Sequence, residues 1–141
     1  MTDNLIQKLR EHGIAPSPQR LAVAAYVLRT TDHPSADEVW NKLRGSAEAP
    51  GLARATVYNT LNLFVRKGLL QQFALTDGRA LFDPNTHPHH HFLDEETGRL
   101  HDLPWDAVDL RVAAHLDEFD VRGIQVILRG RHTPPESPLT P

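Results

Sequence analysis

Four histidines lie within five residues of the chain, in the run His87-Pro88-His89-His90-His91. Successive side chains of a β-strand point to opposite faces, so His89 and His91 share one face and His90 lies on the other. Two imidazoles at this spacing can bind one metal ion if further ligands join them. The run therefore predicts a metal site, with an adventitious His-rich metal binder as the alternative interpretation.

Further ligands for such an ion are present elsewhere in the chain. Asp102 lies on the strand expected to pair with the histidine strand, and Asp83 lies in the linker before it. His33 lies in a proline-flanked turn nearer the N-terminus. The predicted ligands are His33, Asp83, His89, His91 and Asp102. Three imidazoles and two carboxylates suit Mn²⁺, Fe²⁺ or Zn²⁺, and the order of affinities alone favours Zn²⁺.

The composition excludes several other kinds of site and of protein. The 141 residues contain no cysteine, which excludes disulfides, thiolate zinc sites, iron–sulfur clusters and thiol catalysis. Hydrophobic residues make up 40% and the mean hydropathy is −0.42, as in a globular protein of one domain or two small ones. No apolar run approaches the ~20 residues of a spanning helix, and the N-terminus lacks the apolar stretch of a signal peptide. We therefore expect a cytoplasmic protein.

The charges are divided unevenly along the chain. Residues 1–79 contain ten Lys or Arg and seven acids, a net charge of +3, whereas residues 80–141 contain five and eleven, a net charge of −6. Seven of the nine histidines lie in the second part. This division predicts a basic half that faces phosphate and an acidic, imidazole-rich half that binds a cation.

The pattern of the first 83 residues predicts a winged helix-turn-helix. Apolar residues at helical spacing indicate helices, and Ser17 and Ser35 are placed as N-caps, the latter in a capping box with Glu38. Asp77-Gly78 is the signal of a two-residue hairpin turn. The predicted elements are helices over 3–11, 19–29 and 52–68, a helix that begins at Ser35, and hairpin strands over 69–76 and 79–82.

A proline-containing linker, residues 83–88, separates this part from a second one. Beyond it the pattern predicts strands over 89–94 and 99–103, a helix over 105–116 and a strand over 121–128. The second unit is thus a small α/β module, and the fold class is α+β. Four prolines in the last ten residues, 132–141, predict a disordered tail.

The predicted helix over 52–68 has two different faces. Val57, Leu61 and Phe64 fall on one side of a helical wheel and are expected to pack inward. The opposite side has a tyrosine and two asparagines, which can contact thymine methyl groups and pair with adenine in a major groove. Basic residues around the start of the helix can contact phosphates. The predicted DNA-contacting residues are Arg20, Arg54, Thr56, Tyr58, Asn59 and Asn62, with Arg79 as a further phosphate contact.

Together these motifs resemble the ferric uptake regulator family of metal-dependent repressors, along essentially the whole ordered length of the chain. The stretches that carry the resemblance are Pro16 to Leu21, His33 to Val39, Ala55 to Leu61, Gly78 to Asp83, and His89 to His91 followed by Gly98 and Asp102. The resemblance implies a winged-helix DNA-binding domain at residues 1–83, a metal-binding dimerisation domain at residues 84–131, a homodimer and a double-stranded, pseudo-palindromic operator. It also implies a regulatory metal where the two domains meet, bound by the same five ligands.

Two details of the resemblance favour the peroxide-sensing branch of the family. The last ligand is typically Asp in that branch and Glu in the iron-sensing branch, so Asp102 resembles the peroxide-sensing type. Asn59 directly after Tyr58 points the same way. The resemblance implies that bound Fe²⁺ reacts with hydrogen peroxide and that a ligand imidazole is then oxidised, whereas Mn²⁺ is inert.

The chain departs from the family pattern at two other metal sites. Members usually hold a structural zinc with two Cys-x-x-Cys pairs, but Asp94 and Thr97 stand at the first pair and residues 131–137 contain no second pair. This zinc is therefore excluded, and the dimer must rest on apolar packing of the strands and of the predicted helix with Val108, Val112 and Leu116. A second metal site of many members would use His90 and an acid near Asp109, but its remaining histidine aligns with Ile124.

The predicted function is a metal-dependent transcriptional repressor that couples Fe or Mn occupancy, with peroxide sensing by histidine oxidation, to operator binding. A manganese or iron homeostasis regulator without peroxide chemistry is the main alternative. A metallohydrolase would need an open coordination position and a placed base, and the nearby Glu95 and Glu96 are better explained as a solvated turn. We therefore predict no catalytic residues and no enzyme activity. A DNA-binding scaffold with structural histidines is the third alternative.

Overall fold

The structure is a computed structural model that describes residues 2–134. It divides into two compact units, Met1–Thr86 and His87–Pro141. This division falls three residues after the boundary predicted at residue 83. The disordered tail predicted for residues 132–141 lies, from residue 135 onward, outside the described residues. In the described range, none of the helices combines the length and hydrophobicity needed to cross a bilayer.

The first unit contains four helices, and a serine side chain caps the start of two of them. The Ser17 side chain accepts a hydrogen bond from the backbone N–H of Arg20 (3.1 Å), and Pro18 begins the helix. Ser35 and Glu38 form the predicted capping box. The helices are α1 (Thr2–Glu11), α2 (Pro18–Val27), α3 (Ala36–Leu43) and α4 (Arg54–Arg66). They confirm the four helices predicted from periodicity.

The core of the first unit is built from the apolar faces of these four helices. The fully buried side chains include Leu9, Val23, Val39, Val57, Leu61 and Phe64. The last three confirm the predicted inward face of α4. Burial of one such side chain contributes about 1.5–3 kcal/mol. The core therefore fixes the rotation of α4, and its polar face points outward.

A β-hairpin follows α4, as predicted, but its first strand is shorter, its second strand begins one residue later and its turn is longer. The strands are β1 (Gln71–Ala74) and β2 (Ala80–Asp83), paired antiparallel. The predicted two-residue turn is wrong, because five residues connect the strands. Asp77 accepts a hydrogen bond from the backbone N–H of Arg79 (3.0 Å), and Gly78 has a φ of +88°, which favours glycine. These local interactions close the longer loop.

The capping box at the start of α3 gives a measurable contribution to stability. Ser35 Oγ accepts a hydrogen bond from the backbone N–H of Glu38 (3.2 Å). We expect Ser35→Ala to lower the free energy of unfolding by about 1 kcal/mol, because this N–H loses its acceptor. Urea unfolding followed by circular dichroism measures the loss. Ser46→Ala, which removes a loop hydroxyl, should change stability by less than about 0.5 kcal/mol, and equal losses would contradict the role of the cap.

The second unit is built on a three-stranded sheet in the order β4-β3-β5. The strands are β3 (His89–Asp94), β4 (Leu100–Pro104) and β5 (Ile127–Gly130). β3 pairs antiparallel with β4 and parallel with β5. The register sets His91 opposite Asp102, which confirms the predicted pairing of the histidine strand with the strand of Asp102.

Two elements predicted for the second unit are wrong. The helix predicted over 105–116 is only a short 3₁₀ turn, Trp105–Ala107, and residues 108–126 form neither helix nor strand. The strand predicted over 121–128 begins only at Ile127.

An amphipathic helix is stabilised mainly by packing of its apolar face, and in the segment predicted as a helix Val112 and Leu116 are 54% and 37% exposed. Since no described residue covers that face, its periodicity alone does not produce the helix.

Candidate metal centre and nucleic-acid interface

Two of the predicted metal ligands, His33 and Asp83, lie together in the first unit. Nε2 of His33 is 3.2 Å from Oδ2 of Asp83, and both side chains are nearly fully buried. The turn that contains His33 is joined to β2 by a hydrogen bond from the backbone N–H of Phe82 to the carbonyl oxygen of Pro34 (2.9 Å). This backbone contact keeps the imidazole beside the carboxylate at the end of β2.

The backbone of His33 has an uncommon conformation. Its φ of +51° lies in the left-handed region. In the described part of the chain, His33 is the one non-glycine residue with a positive φ. A residue with a side chain pays about 1–3 kcal/mol for such a conformation, and these conformations cluster at functional sites. The strain at His33 thus coincides with its placement against Asp83.

The other three predicted ligands lie together in the second unit. Oδ1 of Asp102 is 3.4 Å from Nε2 of His89 and 3.3 Å from Nε2 of His91. Both imidazoles are nearly fully buried, whereas the Asp102 side chain is 40% exposed. The alternation of side chains along β3 therefore brings both rings to one carboxylate oxygen.

A backbone hydrogen bond fixes the tautomer of His89. Its Nδ1 lies 2.6 Å from the carbonyl oxygen of His87. A carbonyl oxygen only accepts, so Nδ1 carries the proton and donates it. In the neutral ring Nε2 then has the lone pair, and Nε2 is the atom that faces Asp102. Metal-binding histidines typically have this arrangement, in which the other ring N–H is donated to a carbonyl or carboxylate.

The spacing and chemistry of these atoms fit a divalent cation. Two ligands bound to one ion at about 2.1 Å are about 3.0–3.4 Å apart, depending on the coordination angle. The nitrogen–oxygen separations in both clusters, 3.2, 3.3 and 3.4 Å, lie in this range. Lone pairs of an imidazole and a carboxylate repel one another unless a proton or a cation lies between them. Each cluster therefore has the donors that Mn²⁺, Fe²⁺ or Zn²⁺ accept.

His90, predicted for a second metal site, has different surroundings. Its buried ring stacks on Trp105, with 4.5 Å between the ring centroids. Nδ1 accepts a hydrogen bond from the backbone N–H of Val126 (2.9 Å), so the proton of the neutral ring is on Nε2. Nε2 has no hydrogen-bond partner among residues 2–134. Asp109, the other residue predicted for this site, is exposed. The contacts of His90 with Trp105 and Val126 were not foreseen from the sequence.

The residues predicted to contact DNA, except Arg54, line two grooves beside α4. The first groove, of about 580 Å³, lies between α4 and the start of α2, and Arg20, Thr56 and Asn59 contribute to its lining. The second groove, of about 420 Å³, lies between α3, α4 and the hairpin, and Tyr58 and Asn62 contribute to its lining. The outward face of α4 thus borders two grooves, and polar side chains of α4 line each of them.

Two arginines at the edges of these grooves are held by local hydrogen bonds. Arg20 donates from Nη1 to the carbonyl oxygen of Ala15 (2.7 Å), and Arg79 donates from Nε to the carboxylate of Asp77 (2.8 Å). A guanidinium has five N–H donors, so each arginine keeps donors for a further acceptor such as a phosphate.

Two of the predicted contact residues near the start of α4, Arg54 and Tyr58, share a partner on α3. The Arg54 guanidinium and the Tyr58 hydroxyl both donate to Oδ1 of Asp37, the hydroxyl over 2.6 Å. The guanidinium carbon lies 5.8 Å from the centroid of the Tyr58 ring, within the range of a cation–π contact. The Tyr58 hydroxyl and the charge of Asp37 raise the pKa of Arg54 above its ordinary value. We call Asp37, Arg54 and Tyr58 the Asp37 cluster.

Sequence reasoning missed Asp37. An acid in the first turn of a helix is already explained by the helix dipole, so nothing local singles it out. Its two contacts join residues that are 17 and 21 positions apart, which no pattern of helical spacing reveals.

Comparison with known proteins gives a match over most of the chain. Residues 11–128 match the sequence model of the Ferric uptake regulator family. The Peroxide-responsive repressor PerR of Staphylococcus aureus (strain Mu50 / ATCC 700699) is 36% identical over 118 residues, which make up 82% of this chain and 78% of that protein.

Solved structures of regulators share the fold. The ferric uptake regulator (Fur) of Vibrio cholerae matches with a TM-score of 0.65 and 25% identity, over 90% of this chain and 98% of that one. PerR from Streptococcus pyogenes matches with a TM-score of 0.52 and 29% identity, over 93% and 90%. These matches confirm the predicted α+β fold and agree with the prediction of a regulator rather than an enzyme. The chain belongs to the ferric uptake regulator family.

Proposed function

We propose that this chain is a metal-dependent transcriptional repressor that binds Mn²⁺ or Fe²⁺, forms a homodimer and binds a double-stranded, pseudo-palindromic operator. The observation that carries the proposal is the cluster of His89, His91 and Asp102, in which His89 has the tautomer that a metal requires. Membership of the family and the likeness to PerR and Fur proteins support it. Zn²⁺ would fit the same donors.

The proposed ligand set has two parts, one in each unit. His33 and Asp83 belong to the first unit, and the cluster of His89, His91 and Asp102 belongs to the second. All five residues can bind one ion only where the two parts of the ligand set meet, so metal binding favours that arrangement of the units. An ion at about 100 times its dissociation constant supplies a bias of about 2.7 kcal/mol. When bound, the cation supplies positive charge that offsets the two carboxylates and, as Fe²⁺, an electron that reduces peroxide.

In this proposal the outward face of α4 contacts the operator. Tyr58 offers its ring to thymine methyl groups, and Asn59 and Asn62 offer amides to adenine in the major groove. The residues that we propose for phosphate contact are Arg20, Arg54 and Thr56. In a dimer two copies of α4 face two half-sites, so the operator is expected to be pseudo-palindromic.

We further propose that the protein senses peroxide through oxidation of a ligand histidine. Asp102 at the last ligand position and Asn59 after Tyr58 resemble the peroxide-sensing branch, and a PerR protein is among the relatives. The second candidate is a manganese or iron homeostasis regulator, which the imidazole and carboxylate donors of the same site suit equally well.

Treatment with dilute hydrogen peroxide separates these two candidates. In protein loaded with Fe²⁺ we expect one added oxygen atom on a peptide that contains His33 or the run His89 to His91, together with loss of DNA binding. Protein loaded with Mn²⁺ should show neither change. Peptide mass spectrometry and an electrophoretic shift assay on the same samples measure both.

The outcomes of this experiment are distinct. Unmodified peptides in the iron-loaded sample, with DNA binding that follows the metal concentration, would establish the homeostasis regulator. DNA binding that EDTA leaves unchanged would contradict the metal-dependent repressor itself and favour structural histidines. Asp102→Asn serves as the control, because loss of one ligand carboxylate should prevent the iron-dependent oxidation.

The second metal site at His90 and Asp109 stays a prediction. Coordination through Nε2 of His90 requires the ring proton to move to Nδ1, which breaks the hydrogen bond from Val126. We therefore give this site no role in the proposed function.

A further inference from the structure

Asp37 lies on the surface that we propose for DNA, yet its charge repels phosphate. It belongs to the first turn of α3, and its side chain is 55% exposed. It is the one acid among the residues that line the groove between α3, α4 and the hairpin, where Asn62 and Arg79 are other polar members. Such an acid weakens the attraction between the groove and the DNA backbone. Its two partners, Arg54 and Tyr58, indicate what it does there.

The Asp37 cluster orders both of those partners. The hydroxyl proton of Tyr58 is donated to Asp37 over 2.6 Å, which sets the position of the ring. The guanidinium of Arg54, one helical turn earlier, donates to the same oxygen and lies against that ring. Two long side chains that are ordered before DNA binds lose less entropy on binding.

The cluster also offsets the charge of Arg54. The carboxylate of Asp37 accepts a hydrogen bond from the guanidinium at the solvent-exposed start of α4. A phosphate that binds Arg54 must compete with this carboxylate. The contribution of Arg54 to affinity for DNA of any sequence is therefore reduced, because that contribution comes from neutralised phosphate charge.

We propose that Asp37 is a specificity-determining positioning residue of the DNA-binding surface. It holds Tyr58 in place for contact with bases and weakens the contact of Arg54 with the phosphate backbone. The ordered Tyr58 raises discrimination between sequences, whereas the weakened phosphate contact lowers the affinity for every sequence alike. The inference rests on the proposed function, because it assigns Asp37 a role within operator binding.

Asp37→Asn tests this role, since the amide keeps the size of the side chain and removes its charge. The probes are a duplex selected by the Mn²⁺-loaded wild-type protein from a randomised library and a scrambled duplex of equal composition. We expect the ratio of the two affinities to fall about tenfold. The slope of log affinity against log salt should steepen by up to about 0.9, because Arg54 no longer shares its charge between Asp37 and a phosphate. An unchanged ratio together with an unchanged slope would overturn the inference.

Two further variants distinguish the positioning of Tyr58 by Asp37 from a general effect of lost charge or lost fold. Asp3→Asn removes one negative charge from α1, outside the cluster, and should leave the ratio and the slope unchanged. In a Tyr58→Phe background, Asp37→Asn should lower the ratio less than it does in the wild-type protein, because the hydroxyl on which it acts is absent. Thermal melts confirm that each variant is folded. A wild-type protein that selects no sequence from the library would contradict the proposed function instead.

Discussion

Asp102→Asn is expected to abolish metal-dependent DNA binding while the protein remains folded. One oxygen of Asp102 faces Nε2 of both His89 and His91. The same carboxylate charge therefore acts on both imidazole contacts. Groups that only orient metal ligands change affinity by about 10–100-fold, and loss of a ligand should cost at least the upper end of that range. Calorimetric titration with Mn²⁺ and an electrophoretic shift assay measure the two effects.

His101→Ala is the matched control for this experiment. His101 neighbours Asp102 on β4, but its ring stacks on His132 at 4.8 Å between centroids. Its removal should leave the affinity for Mn²⁺ unchanged. His89→Ala should act in the same direction as Asp102→Asn, and urea unfolding shows whether this buried position also lowers stability. A metal-dependent shift that persists in Asp102→Asn would contradict the site assignment.

Phe64→Ala should produce the largest loss of stability among single substitutions in the first unit. The ring is fully buried in the core shared by the four helices. Truncation of a buried Phe to Ala costs about 3–5 kcal/mol, because the lost burial is joined by the cost of the cavity that remains. DNA binding should fall as well, since the same core fixes the rotation of α4. Urea unfolding measures the stability directly.

Asn62→Ala on the opposite face of α4 is the comparison for that measurement. Asn62 is exposed, so its replacement should change the free energy of unfolding by less than about 0.5 kcal/mol. Similar losses in both variants would contradict the division of α4 into an inward and an outward face.

The elements that local physics determines were predictable from the sequence. Helix starts at Ser17 and Ser35 follow from side chains that cap N–H groups three residues away. The inward face of α4 follows from spacing alone, and so does the placement of His89 and His91 on one side of β3. Each of these predictions depends on residues a few positions apart.

The predictions that were wrong or absent depend on contacts between distant residues. Residues 105–116 have the periodicity of a helix, but within residues 2–134 nothing covers their apolar face. The link between Asp37 and the start of α4 arises only when α3 and α4 pack. The stacking of His90 on Trp105 likewise depends on where the chain goes after β4. Short-range patterns contain none of this information.

In the proposed function, strand β2 connects a metal ligand with the DNA-binding surface. Its last residue, Asp83, contacts His33, and the residue before its first, Arg79, lines the groove beside α4. Three residues lie between the two, and four steps along an extended chain span about 13 Å. In that proposal, a shift of Asp83 on metal binding would be carried along this one strand, with no other domain between Asp83 and the groove. Insertion of a single residue into β2 would reverse the faces of its side chains and disconnect sensing from DNA contact, even if both ends stayed chemically intact.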